Sequence, residues 1–283
     1  MRIRLMKKFL LMTIAASVLA TTSMFAAADD SALKQVMAGE WRSADDKARD
    51  AERRPLESLT FWGLKPGASV LEVQPGGGWW TRILAPYAAR TGGRYTATAA
   101  DLNNPSLSDA ARKGRADFAA RYADEKIYGK VELVNWGPTA APLPQNTYDF
   151  ILLSRMIHNW MQSEGALERN LASVAGSLKP GGVLAIEQHR GNPGPQDPKA
   201  ESGYVTEAFV IAAAEKAGLR LAARSEINAN PKDTKDHPFG VWTLPPTRAT
   251  VAYGSGKPAD PNFDRSKYDA IGESDRMTLR FVK

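Results

Sequence analysis

Residues 68–87 read Ala-Ser-Val-Leu-Glu-Val-Gln-Pro-Gly-Gly-Gly-Trp-Trp-Thr-Arg-Ile-Leu-Ala-Pro-Tyr, and this stretch decides the fold. Val70, Leu71 and Val73 make a short apolar, partly β-branched run straight after a Lys-Pro-Gly turn at residues 65–67. Such a run reads as a buried parallel strand. Gly76, Gly77 and Gly78 follow, and then a helical pattern over residues 79–90. Strand, glycine turn and helix open a nucleotide-binding βαβ unit: the glycines let the backbone turn sharply, and the helix N-terminus faces a ligand. A glycine turn alone is a weak signal. The order of the segments around it gives it weight.

Downstream, Thr91-Gly92-Gly93 stops the helix, and residues 94–100 form a second strand that ends in Asp101. An acid at that strand tip either accepts hydrogen bonds from a ribose or caps the next turn. Residues 109–123 have helical spacing, 131–135 a third strand, and 148–153 a fourth that is almost wholly apolar and so central. A helix over 163–178 ends in Leu-Lys-Pro-Gly-Gly, before a fifth strand at 183–187. A helix at 204–217, a sixth strand at 219–227 and a last strand at 277–282 complete the pattern. Between the last two strands, residues 228–272 form a long excursion rich in Pro, Asp and Lys, of the kind that is functional or disordered.

Upstream, Arg2, Arg4, Lys7 and Lys8 precede an apolar run at 9–20 and an Ala-Ala-Ala at 26–28. Residues 1–28 therefore read as a cleavable secretory signal peptide, too short in its apolar run to anchor the chain in a bilayer. A periplasmic or exported protein follows as the expectation. The chain has no cysteine, hence no disulfide and no lipid-attachment site. Removing four basic residues takes the formal charge from +6 to +2, which gives no argument for nucleic acid. Residues 29–64 read as an N-terminal helical cap and 65–283 as the α/β domain. The charged run Arg49-Asp50-Ala51-Glu52-Arg53-Arg54 reads as a solvated helix face; the competing reading puts Arg53 or Arg54 beside the glycine turn.

With these parts in this order the chain resembles the class I S-adenosylmethionine-dependent methyltransferases. Val70–Val73 with Gly76–Gly78 match that family's first motif, Asp101 its second-strand acid, and Tyr148-Asp149-Phe150-Ile151 its fourth-strand motif. Leu178-Lys179-Pro180-Gly181-Gly182 matches its turn before strand five. The match covers about residues 56–227 and the last strand. It is most similar to a signal-peptide-bearing bacterial group of predicted methyltransferases with Gly-Gly-Gly-Trp-x-Thr, His-Asn-Trp and Val-Trp-Thr-Leu-Pro-Pro, here at residues 76–81, 158–160 and 241–246. The resemblance implies a Rossmann-like, mostly parallel seven-stranded sheet with helices on both faces and the last strand antiparallel, and S-adenosylmethionine as cofactor. Two positions depart from the pattern. Gln74, followed by Pro75, stands where the first motif begins with Gly, and Trp136-Gly137 stands where Gly-Asp holds the adenine amino group.

The resemblance assigns cofactor contacts to Glu72, Gly76 and Gly78 at the methionine end and to Asp101 at the ribose. Thr81 is a candidate for the turn or the amino acid moiety, Ser154 for the pocket edge, and Trp136 for stacking on adenine, against a plain core role. Methyl transfer needs orientation and, for a hydroxyl or amine acceptor, a base. His158 is the first candidate for that base or for substrate positioning and His189 the second; both follow strands at the carboxyl edge of the sheet. His237 lies in the excursion, and without cysteine or close ligand spacing no metal is expected. The leading reading is methyl transfer to a small-molecule acceptor. The alternative is an exported small-ligand-binding protein that kept the fold and lost the reaction. A nicotinamide-dependent dehydrogenase fits poorly with the Leu-Lys-Pro-Gly-Gly turn and the antiparallel-looking last strand. The enzymatic reading requires room for an adenosine beside Asp101, unobstructed by Gln74 or Pro75.

Overall fold

The computed structural model describes residues 30–252 and 254–283; the expected signal peptide, residues 1–28, lies outside them. Helices α1 (Asp30–Ala38), α2 (Ala44–Ala48), α3 (Asp50–Arg53) and α4 (Pro55–Trp62) come first. The alternating region then runs β1 (Ser69–Val73), α5 (Thr81–Arg90), β2 (Arg94–Ala100), α6 (Asp109–Arg121), α7 (Glu125–Tyr128) and β3 (Val131–Trp136). It continues with β4 (Tyr148–Ser154), α8 (Ile157–Trp160), α9 (Ala166–Ser177), β5 (Leu178–His189), α10 (Glu207–Lys216) and β6 (Arg220–Ser225). The chain closes with β7 (Pro238–Val241), α11 (Ser266–Ile271) and β8 (Arg276–Val282). No helix among the described residues is long and apolar enough to cross a membrane.

Seven strands form one sheet in the order β3-β2-β1-β4-β5-β8-β6. The pairs from β3 through β5 are parallel, and β8 is antiparallel to both β5 and β6. This is the expected Rossmann-like architecture. β5 begins earlier than the sequence pattern indicates, because the Lys-Pro-Gly-Gly turn is taken up as a bulge: Tyr148 pairs with Leu178 but Phe150 with Val183. Pro180 has no N–H to give a ladder, and a bulge accommodates it.

The period-2 alternation of the strands splits the core. Leu71, Val73, Ile151, Leu153, Leu184 and Ile186 face one layer, closed by apolar residues of α9 and α10. Val70, Phe150, Leu152, Val183 and Ala185 face the other, closed by α1, α4 and α5 through Leu33, Leu59, Trp62, Ile83 and Leu84. Burying each such large side chain contributes about 1.5–3 kcal/mol. The cap is therefore one layer of the core. Trp62 of α4 donates its Nε1–H to the Leu279 carbonyl on β8 at 3.0 Å. Pro86 lies inside α5 and leaves the Arg82 carbonyl without its helical donor. Trp41, from the cap, donates to that carbonyl at 2.9 Å.

The excursion at 228–272 is packed against the body. Asp233 is buried, and its carboxylate accepts from the Tyr204 hydroxyl at 2.9 Å, His237 Nε2 at 2.7 Å and the Asp275 backbone N–H at 2.8 Å. Asn230 donates to the Ile271 and Glu273 carbonyls at 2.9 and 2.7 Å, tying the two ends of the excursion together. Its middle then turns back over the carboxyl edge of the sheet.

Candidate active site

A cleft of about 430 Å³ opens at the carboxyl ends of β1, β4 and β5, within the size range of small-molecule sites. Its floor is the glycine turn, Gln74 to Gly77, with Glu72 below. Trp79, Trp80 and Arg82 bring in the start of α5, and Asp46, Arg49 and Arg53 come from the cap. Ser154, Arg155, Met156 and His158 leave β4, and His189 ends β5. Trp242, Pro245 and Pro246 of the excursion form the outer wall.

The turn is built for close approach. A Cβ on Gly76 or Gly77 would meet nothing within 4 Å, so both present bare backbone to the cleft. Gly78 serves another purpose. It has φ +76°, and a Cβ there would sit 1.8 Å from the Tyr122 hydroxyl oxygen. It borders α5 packing and not the cleft.

Glu72 faces the α5 layer, where its Oε2 accepts from Thr81 Oγ1 at 2.8 Å and the Tyr95 hydroxyl at 2.6 Å. Burial pushes its carboxyl up to about 7, against the pull of the bonds from Tyr95 and Thr81. Thr81 thus reaches the site only through Glu72. Ser154 Oγ donates to Glu187 Oε2 at 2.7 Å. Glu187 is fully buried on β5 and also accepts from Arg276 and from Trp80 Nε1. Burial alone would raise this carboxyl, but Arg276, Arg155 and Arg53 outweigh it and hold it at about 2.

The two candidate histidines stand together, with ring centroids 5.5 Å apart. His158 is buried, and burial is the main cause that lowers its pKa to about 4. Gln188 Nε2 lies 3.1 Å from its Nδ1, which makes Nδ1 the acceptor and leaves the proton on Nε2. His189 Nδ1 is hydrogen-bonded with Ser274 Oγ. Burial, then the neighbouring His158 and Arg155, hold the His189 pKa well below the ordinary histidine value. Both rings are neutral near pH 7. His237 is not among the cleft residues; Asp233 holds it.

Residues 71–186 match the family model described as methyltransferase domain. That stretch, under half of the chain, is therefore similar to a methyltransferase domain. A ubiquinone/menaquinone biosynthesis C-methyltransferase UbiE of Shewanella piezotolerans is 32% identical over 124 residues, 44% of this chain and 43% of that protein. The homologous enzyme of Ectopseudomonas mendocina is 31% identical over 138 residues, 48% of each chain. This chain thus spans under half the length of the curated relatives it matches. Among solved structures, a Galdieria sulphuraria protein described as a candidate sarcosine dimethylglycine methyltransferase is 15% identical, with a TM-score of 0.53. That comparison covers 85% of this chain and 88% of the other, and establishes the shared fold.

S-adenosylmethionine is the cofactor that this similarity implies. The bare glycine backbone and the second oxygen of Glu72 would suit its amino acid end. The adenosine end is more restricted. Asp101 does not line the cleft; its carboxylate accepts from the Asn103 N–H at 3.0 Å and the Thr139 hydroxyl at 3.1 Å. Gln74, at φ +51°, accepts from Trp160 Nε1 at 2.6 Å. Trp160 in turn packs on Trp136, ring centroids 5.9 Å apart. The Gln74–Trp160 bond ties the glycine turn to α8, and Trp136 packs at a tilt against an indole there. Of the residues singled out in the sequence, the structure puts Glu72, Gly76, Ser154, His158 and His189 around the cleft; Gly78, Thr81, Asp101 and Trp136 lie off it.

Sequence reasoning missed Arg49, Arg155, Glu187 and Glu273. One signal was available: a glutamate within the apolar run Leu184-Ala185-Ile186-Glu187 must be paired if the strand is central.

Proposed function

We propose that the chain is an S-adenosylmethionine-dependent methyltransferase of a small-molecule acceptor, and a member of the signal-peptide-bearing bacterial group it resembles. In this reading it works outside the cytoplasm, with neither nucleic acid nor a membrane anchor involved. The observation that carries the proposal is the open glycine turn of a methyltransferase domain facing two neutral imidazoles across one cleft.

When bound, S-adenosylmethionine supplies an electrophilic methyl group. Gly76 and Gly77 would let its amino acid end lie against the backbone, and Glu72, on giving up its proton, would hold the ammonium. His189 is the better placed base: with Nδ1–H donating to Ser274 Oγ, its Nε2 accepts the acceptor's proton. His158, with its Nδ1 already engaged by Gln188, donates from Nε2 and orients the acceptor. Trp242, whose ring lies edge-on to His158 at 5.9 Å, keeps water from this side.

Calorimetry with S-adenosylmethionine and S-adenosylhomocysteine tests the reading. Binding of either supports it, and no heat with both at millimolar ligand rejects it. Transfer of labelled methyl from S-adenosylmethionine to small molecules of a cell extract is the second test. Cofactor binding with no transfer to any of them would return the chain to the ligand-binding alternative.

A further inference from the structure

The cleft holds more positive charge than its own acids balance. Three guanidinium groups meet at its inner wall, Arg49 and Arg53 from the cap and Arg155 after β4, and Arg276 of β8 is buried beside them. Two carboxylates pair with them, and Glu72, whose carboxyl burial raises, acts on Arg155 from the cleft floor. Glu187 accepts from Arg276, and Glu273 pairs with Arg49 at 2.7 Å, Arg53 at 2.9 Å and Arg276 at 3.0 Å. On the opposite wall Arg82 is paired with Asp46 at 3.4 Å, so it leaves no surplus there.

The surplus is local. Arg53 is 1% exposed, and only its Nε is used, on Glu273. Its guanidinium lies 4.7 Å from the centroid of the Trp79 ring, and both terminal nitrogens are buried without a partner. The Nη2 of Arg49 is likewise buried and unpartnered. Among the described residues no ion pair claims Arg155, which reaches only Ser154 Oγ at 3.4 Å. It also holds φ +57°, a conformation that a non-glycine residue keeps only where its surroundings require it. Leaving charged donors buried and unpaired costs several kcal/mol. A bound anion removes that cost.

We infer that Arg49, Arg53 and Arg155 form an anion subsite, and that the methyl acceptor carries a carboxylate or phosphate group seated there, next to His189. The acceptor assignment rests on the methyltransferase reading; the anion subsite does not. A guanidinium fork takes either anion in the same way. The planar donors favour a carboxylate, and Trp242 lines the same cleft.

Isothermal calorimetry at low ionic strength tests this with benzoate, its neutral isostere benzamide and inorganic phosphate. Each is titrated into the free protein and into protein saturated with S-adenosylhomocysteine. Benzoate or phosphate should bind saturably and benzamide should not. Arg155→Gln should weaken the anion about tenfold to a hundredfold, and Arg49→Gln at the rim less. Arg155→Lys, which keeps the charge, should recover part of the loss, and thermal melts confirm that each variant is folded. Anion binding that persists under saturating S-adenosylhomocysteine supports an acceptor subsite. Three results would overturn the inference: no saturable anion binding, equal binding in Arg155→Gln, or full displacement of the anion by S-adenosylhomocysteine, which would give these arginines to the cofactor's own carboxylate. If S-adenosylhomocysteine fails to bind while benzoate does, the methyltransferase reading falls and the anion subsite stands.

Discussion

Glu187→Gln is the sharpest perturbation of the site. The substitution keeps the shape and removes one charge. It leaves Arg53, Arg155 and Arg276 facing each other with Glu273 as the remaining carboxylate. Breaking a buried pair by removing one partner costs about 3–5 kcal/mol. A second route gives a similar figure: Glu187 drops from 4.5 unfolded to about 2 folded, and at 1.36 kcal/mol per pH unit this is about 3 kcal/mol. For a chain of this size that loss lowers Tm by about 10 °C. The pH dependence has a definite sign. The folded pKa lies below the unfolded one, so the Glu187 contribution is complete above pH 4.5 and is lost as pH falls toward about 2. Urea denaturation of wild type and variant at pH 7, 5, 4 and 3 should show a gap of about 3 kcal/mol that narrows below pH 4.5. A loss under about 1 kcal/mol at pH 7, or a gap that does not change with pH, would refute the account of Glu187 as the charge that holds these arginines together.

Four further outcomes follow from other parts of the molecule. Gly78→Ala forces a Cβ onto the buried Tyr122 hydroxyl at positive φ and should cost about 2–3 kcal/mol; Gly76→Ala meets open space and should cost about 1 kcal/mol, both read by urea denaturation. Glu72 keeps its proton in the fold up to about pH 7 while the unfolded chain loses it near 4.5, so wild-type stability should fall over that interval as pH rises and Glu72→Gln should flatten the fall. Gln74→Gly removes the bond to Trp160 and suits φ +51°; calorimetry should show tighter S-adenosylhomocysteine binding, and unchanged or weaker binding would mean that Gln74 does not restrict the adenosine end. Asp233→Ala removes the acceptor of Tyr204, His237 and Asp275, and hydrogen exchange should then speed up across residues 228–275 with the sheet still protected.

Much of the fold was legible locally. Apolar runs of four to six residues, glycine turns and helical spacing are properties of neighbours in the chain, and they placed β1, β2 and β4 within a residue of their observed ends. The Lys-Pro-Gly-Gly segment was legible as a turn but not as a bulge, because a bulge exists only once Tyr148 and Phe150 have chosen their partners across the sheet. At the site, Glu72, Gly76, Ser154, His158 and His189 could be named because each lies at or within a few residues of the carboxyl end of a strand, and those ends share one edge in a parallel sheet.

The sequence alone therefore determined the order and kind of the layers, since periodicity dictates which face of each element must leave water. The charge of the cleft was decided only by the tertiary structure. Arg53 and Glu273 are 220 residues apart in the chain and Arg49 and Glu273 are 224 apart, yet each pair is in contact. A charged helix reads the same whether it faces solvent or a pocket. Only packing the cap on β8 turned Arg53 inward, where the low-dielectric interior makes its unpaired nitrogens a demand for an anion.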